Sequence, residues 1–166
     1  CLMPNHVHLV AVPADEGGLR SAIGEAHRRY TRFINSREGW TGHLWQERFA
    51  SYVMDENYLL AAVRYIELNP VRAGLAKSAG EYLWSSARAH LAGTRDPVAE
   101  LQKINEIVPD WEEFLGAPIP KEEALSLKSH ASTGRPVGGQ VFISELEHKL
   151  GIVLTKRKPG RPAKEK

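Results

Sequence analysis

The segment DENYLLAAVRYIELNP, from Asp55 to Pro70, has the features of an amphipathic helix with a defined start and end. Asp55 is a favourable N-cap residue, because its carboxylate can accept a hydrogen bond from a free backbone N–H of the first turn. The residue before a proline disfavours helical geometry, so the helix should end near Pro70. Three apolar residues have the spacing of a core-facing stripe: Leu59, Val63 and Ile66.

A line of polar residues lies beside this stripe. Tyr58 and Tyr65 are two helical turns apart, and Asn69 follows Tyr65 by one further turn. Such a line suits a functional site, although half-buried tyrosines at a helix edge are the commoner arrangement. The residues alone do not choose between Tyr58 and Tyr65 as a reactive phenol.

Near the start of the chain, the segment MPNHVHLV from Met3 to Val10 has the composition of a strand. Side chains alternate between the two faces of a strand, so His6 and His8 should point the same way. Their ring nitrogens could then bind one metal ion. The alternative is a pair of polar residues on a solvated face, and two histidines do not decide between these readings.

A second amphipathic helix should begin at Gly18, after the turn residues that follow Pro13. Its predicted core stripe consists of Leu19, Ala22, Ile23, Ala26, Tyr30, Phe33 and Ile34. Three basic residues lie off that stripe: Arg28, Arg29 and Arg32. They form either an ordinary solvated face or a surface that contacts phosphates, for which the planar guanidinium is well suited.

The composition is that of an ordinary globular protein. The chain has 166 residues, a formal net charge of +2 and 42% hydrophobic residues. The single cysteine, Cys1, excludes an internal disulfide and favours the reducing cytoplasm. No apolar run is long enough for a membrane helix, so no membrane partner is expected. Because the chain opens inside an expected strand without an initiator methionine, we expect the N-terminal elements of the domain to be missing.

The expected elements alternate between strand and helix, with a further strand at Phe49–Met54. This order predicts an α+β fold, in which an antiparallel sheet packs against helices on one side. Three regions are expected: a domain at 1–93, a small helical region at 94–154 and a basic, disordered tail at 155–166.

Four ordered blocks make a family resemblance specific. They are CLMPNHVHLV at 1–10, GHLWQERFAS at 42–51, YIELNPVRAG at 65–74 and WSSARAHLAG at 84–93. Together they resemble the REP-associated tyrosine transposases, single-tyrosine relatives of the HUH endonucleases. The resemblance covers residues 1–93 and implies the ferredoxin-like (RRM-like) sheet of that superfamily.

The resemblance also implies roles for individual residues. His6 and His8 match the metal-binding histidine pair, and Tyr65 matches the nucleophile. Asn69 lies where related transposases place an amide ligand, often glutamine. The implied cofactor is Mg²⁺ or Mn²⁺, which would polarise the scissile phosphate.

The implied activity is cutting and rejoining of single-stranded DNA beside a hairpin, through a 5′-phosphotyrosine. The energy of the cleaved phosphodiester bond is retained in the bond between protein and DNA, so no nucleotide cofactor is expected. Two alternatives stay open: a hairpin-binding remnant that no longer cuts, and a metal-dependent phosphodiesterase that uses water instead of Tyr65. Whether the protein is a monomer or a homodimer is also left open.

The last twelve residues, TKRKPGRPAKEK, contain six basic residues and one acidic residue. This tail is either a solubilising end or an arm that binds phosphates and the minor groove, since KPGRP resembles the core of an AT-hook. The predicted nucleic-acid contacts of the tail are Lys156, Arg157, Lys158 and Arg161.

Overall fold

The computed structural model describes residues 1–155, without the side chains of residues 121, 128, 131 and 132. It is mostly helical, with 52% of residues in helices. The described α-helices are α1 (Gly18–Glu38), α2 (Glu56–Glu67), α3 (Asn69–Arg72), α4 (Ala87–Ala92), α5 (Gln102–Ile107), α6 (Trp111–Gly116), α7 (Lys121–Thr133) and α8 (Gln140–Leu150). A 3₁₀ turn at Ala79–Glu81 precedes α4.

The predicted α+β fold with an antiparallel sheet and helices on one side is wrong, because residues 1–155 contain no strand and no sheet. A sheet needs successive hydrogen bonds between neighbouring extended segments. In the described part of the chain, extended segments pair only at single positions: Leu2 with Val7, antiparallel, and Met54 with Val137, parallel. Neither bridge extends into a ladder, so β-prone composition does not produce a sheet here.

Residues 1–8 form a narrow loop instead of a single strand. The backbone N–H of His8 donates to the Cys1 carbonyl at 2.9 Å, and that of Met3 donates to the His6 carbonyl at 2.9 Å. Pro4 and Asn5 occupy the bend between the two arms, where proline and asparagine are favoured. Hydrogen bonds to residues 1–3 therefore hold the arm with both histidines in place although no sheet forms.

Helix α1 begins at Gly18 as predicted and ends where Gly39 adopts the left-handed conformation with φ 68°. Its apolar stripe does not form the predicted core face. Ile34 is buried, but Tyr30 and Phe33 are 50% and 59% exposed. Periodicity identified the helix correctly. Burial of its apolar face would also need a neighbouring element, and no element within residues 1–155 buries Tyr30 and Phe33.

Helix α2 has the predicted N-cap, because the Asp55 carboxylate accepts from the Tyr58 N–H at 3.0 Å. It ends at Glu67, just before Pro70, and α3 continues from Asn69. Val63 belongs to the main core cluster, with Leu59 packed against it. The other buried members of this cluster come from the 3₁₀ turn, from helices α4 and α6 and from the residue that follows α5: Ala79, Ala87, Val108, Trp111 and Leu115.

The C-terminal helices are joined to the start of α2. Asp55 uses its second carboxylate oxygen to accept from the Gly139 N–H at 2.8 Å, and its own N–H donates to the Val137 carbonyl at 3.2 Å. The predicted tail contacts Lys156, Arg157, Lys158 and Arg161 lie outside the described residues.

Within residues 1–155, no helix is both long and apolar enough to cross a membrane.

Candidate functional site

The two histidines converge along one arm of the N-terminal loop. Nε2 of His6 lies 3.0 Å from Nε2 of His8, and the rings meet edge to face. Nδ1 of His6 lies 2.7 Å from Oδ1 of Asn5. If that oxygen accepts the Nδ1 proton, Nε2 of His6 presents a lone pair toward His8.

Asn69, at the start of α3, completes a group of three side chains. Its amide nitrogen lies 2.7 Å from Nε2 of His8, across 61 residues of sequence. A half-turn of the amide about its terminal bond would direct the oxygen to the same place. Three polar atoms from two distant parts of the chain therefore meet at one point.

Tyr65, near the end of α2, is the tyrosine beside this group. Its ring centre lies 6.0 Å from that of His8, with the ring planes at 87°. No such ring contact joins Tyr58 to either histidine in the described part of the chain. The structure thus brings together His6, His8, Asn69 and Tyr65, which the sequence singled out separately.

His8 has the protonation state that a metal ligand needs. The pKa of its imidazole is lowered to about 4, first by burial and then by the positive charges of His6 and of the N-terminus. The His8 ring is therefore neutral at pH 7. Metals bind the neutral ring, because a proton on the ligating nitrogen would occupy its lone pair.

The arrangement fits a divalent cation. Two ligand atoms about 2.1 Å from one ion, at a right angle, would be about 3.0 Å apart, close to the 3.0 and 2.7 Å measured here. Residues 1–155 contain no group of three or more His, Cys, Asp or Glu side chains that could hold a metal. A metal at this point would therefore need the Asn69 amide as its third protein ligand.

The predicted phosphate-contacting arginines of α1 lie on its exposed surface, but two of them already have a partner. Arg28 and Arg29 both donate to the Glu25 carboxylate, at 2.7 and 2.6 Å. These hydrogen bonds lower the pKa of Glu25 to about 2, so the carboxylate stays charged. Arg32 is exposed and makes no ion pair in the described residues. Phosphate contacts by Arg28, Arg29 and Arg32 stay a prediction.

Sequence reasoning missed Arg72. Its guanidinium carbon lies 4.6 Å from the centre of the Tyr65 ring, a cation–π arrangement. The signal was present, because Arg72 follows Tyr65 by seven residues, or two helical turns. A cation is thereby held beside the candidate nucleophile.

Glu67 lies two residues from Tyr65 and two from Asn69, so it points away from the line that these residues form. The structure places it on the opposite side of α2, where it is only 3% exposed. Its carboxylate accepts from the Ser86 hydroxyl at 2.5 Å and from the Ser85 hydroxyl at 3.4 Å. Burial raises the pKa of Glu67, against the effect of these hydrogen bonds. Burial also lowers the pKa of His90, whose ring lies 3.8 Å from this carboxylate.

The model of the family described as "Transposase IS200 like" matches residues 1–69. This range contains all four converging residues, and the similarity supports a role as a transposase in DNA transposition. No curated protein and no solved structure matches the chain.

Proposed function

We propose that this protein is a REP-associated tyrosine transposase that cuts and rejoins single-stranded DNA beside a hairpin through a 5′-phosphotyrosine. The observation that carries the proposal is the convergence of His6, His8 and Asn69 next to Tyr65. The convergence lies within the range that is similar to IS200-like transposases.

In the proposed reaction, the Tyr65 phenol oxygen attacks the scissile phosphorus and gives its proton to solvent. The bond from phosphorus to the 3′-oxygen breaks, and that oxygen leaves as a hydroxyl after taking up a proton. The 5′-phosphate is then joined to Tyr65. Attack by an incoming 3′-hydroxyl reverses these steps on a new strand, because a phenolate leaves more readily than an alkoxide.

The other side chains hold the reacting groups. His6, His8 and Asn69 would bind Mg²⁺ or Mn²⁺, which supplies Lewis-acid polarisation of the scissile phosphate. Arg72, whose guanidinium lies over the Tyr65 ring, would place a fixed positive charge beside the reacting phenol and phosphate.

The first test is the covalent adduct. Labelled single-stranded hairpin DNA and Mn²⁺ are incubated with the protein, which is then denatured and separated by electrophoresis. We expect a protein–DNA adduct that Tyr65→Phe abolishes and Tyr58→Phe retains. Loss in Tyr58→Phe alone would identify the other tyrosine as the nucleophile. DNA cleavage that persists in Tyr65→Phe would indicate a hydrolytic enzyme instead.

The second test separates the metal from DNA affinity. His8→Ala should eliminate cleavage but leave hairpin affinity at matched salt nearly unchanged, because phosphate contacts dominate affinity for DNA. His27→Ala is the matched control, since His27 lies on α1 and stacks on Trp45. A large loss of DNA affinity in His8→Ala would remove the assignment of His8 as a metal ligand.

A further inference from the structure

Residues 82–86 contact the loop that holds the histidines. The Trp84 carbonyl accepts from the Leu2 N–H at 2.7 Å. The Tyr82 hydroxyl donates to the Leu2 carbonyl at 2.8 Å. Both backbone groups of Leu2 are therefore bound by this short segment, on the arm of the loop opposite His6 and His8.

The same segment contacts the helix that holds Tyr65. Ser85 and Ser86 both donate to the Glu67 carboxylate, at 3.4 and 2.5 Å. Glu67 is two residues from Tyr65 and two from Asn69, so its side chain leaves α2 on the opposite side. Fixing Glu67 consequently fixes the rotation of α2 about its axis and the positions of both site residues.

We propose that Glu67 is a positioning residue, and that residues 82–86 form a bracket that sets the distance from His6 and His8 to Tyr65 and Asn69. The reason for holding these residues at a set distance rests on the proposed function. The bracket itself is inferred from the hydrogen bonds of residues 82–86. The two halves of the site are far apart in sequence, and the bracket is a third segment that hydrogen-bonds to both.

The chemistry of Glu67 favours this role over a purely packing role. Burying a carboxylate costs free energy that an apolar side chain of similar size would not cost. Here the carboxylate accepts two serine hydroxyls, which fix its position with directional bonds. The core beside it is made by apolar residues such as Val63 and Ala87, which fill space without fixing direction.

Nuclear magnetic resonance of the full chain, without metal or DNA, tests the geometry. In the wild type we expect a cross-relaxation signal between the His8 and Tyr65 rings, whose centres are 6.0 Å apart. Ser86→Ala and Glu67→Ala should weaken that signal, whereas Glu67→Gln should retain it, since the amide oxygen still accepts from Ser86. Ser36→Ala and Glu56→Ala, at exposed positions on helices, are the matched controls.

Binding of Mn²⁺, measured by calorimetry in the absence of DNA, tests the consequence. Glu67→Ala should weaken Mn²⁺ binding about tenfold, as loss of residues that orient metal ligands commonly does. Tyr82→Phe, which removes one hydroxyl and preserves the core, should weaken it about threefold. A lower melting temperature with unchanged Mn²⁺ affinity and an unchanged ring signal would overturn the bracket and leave Glu67 a structural residue.

The two proposals fail in different ways. If wild type and His8→Ala bind Mn²⁺ equally, the metal site is wrong, and the ring signal still decides the bracket. If His8→Ala loses Mn²⁺ while Glu67→Ala, Ser86→Ala and Tyr82→Phe match the wild type in both measurements, the site stands and the bracket is wrong.

Discussion

At the scale of single residues, the arrangement around Tyr65 joins a candidate nucleophile to a fixed positive charge. Arg72 lies over one face of the Tyr65 ring, and His8 approaches the same ring edge to face. Arginine suits this place, because its planar guanidinium can stack on the ring while its N–H groups still bind phosphate oxygens. A lysine would supply charge without the stacking or the paired hydrogen bonds.

We expect Arg72→Ala to slow formation of the Tyr65–DNA adduct about 100-fold under single-turnover conditions, because a donor beside the developing charge is lost. Arg72→Lys should give an intermediate rate, since it keeps the charge alone. The exposed Arg88 of α4 provides the control Arg88→Ala. Equal rates for Arg72→Ala and the wild type would exclude Arg72 from the reaction.

At the scale of secondary-structure elements, the sequence predicted local features well and non-local pairing poorly. The start of α2 at Asp55 and the start of α1 at Gly18 depend on residues within one or two turns, and both are confirmed. The sheet and the burial of Phe33 depend on partners distant in sequence, and both predictions are wrong. The pairing of His6 with His8 follows from local alternation alone, whereas the sequence analysis overlooked Arg72.

The junction between α2 and α8 also depends on non-local contacts, and its two adjacent glycines allow the packing there to be tested. A Cβ on Gly138 would collide with the Phe142 ring and lie 2.8 Å from Oδ2 of Asp55. The same carboxylate caps α2 and binds the Gly139 N–H, so it cannot move freely. A Cβ on the neighbouring Gly139 would make only an ordinary contact, 3.9 Å from that oxygen.

Gly138→Ala should therefore lower the free energy of unfolding by about 1–3 kcal/mol, through overpacking. Gly139→Ala is the matched control and should change it by less than about 0.5 kcal/mol. Chemical denaturation of both variants, followed by circular dichroism, gives the comparison. Equal stability of the two variants would show that Phe142 moves aside at little cost and that the junction is loosely packed.

At the scale of the whole molecule, positive charge is concentrated at the C-terminal end of the sequence. The last twelve residues carry a formal charge of +5, so the rest of the chain carries −3 against a total of +2. Two of the three arginines proposed to contact phosphates on α1 are paired with Glu25. Long-range attraction to DNA should then depend mainly on the tail, because the remaining chain has a net negative charge.

Removing the residues after Leu154 should lower affinity for hairpin DNA and make binding less sensitive to salt. Each phosphate contact on duplex DNA contributes about 0.9 to the slope of log affinity against log salt. Loss of about two to four contacts should flatten that slope accordingly, as measured by fluorescence anisotropy across a salt series. Adduct formation at saturating DNA should change little, because Tyr65, His6 and His8 all lie within the first half of the chain.

A Glu25→Gln variant of the truncated chain supplies the complementary measurement. It weakens the ion pairs that hold Arg28 and Arg29, so it should restore part of the slope of log affinity against log salt. An unchanged slope after truncation would assign the tail to solvation and return the predicted phosphate contacts to the arginines of α1.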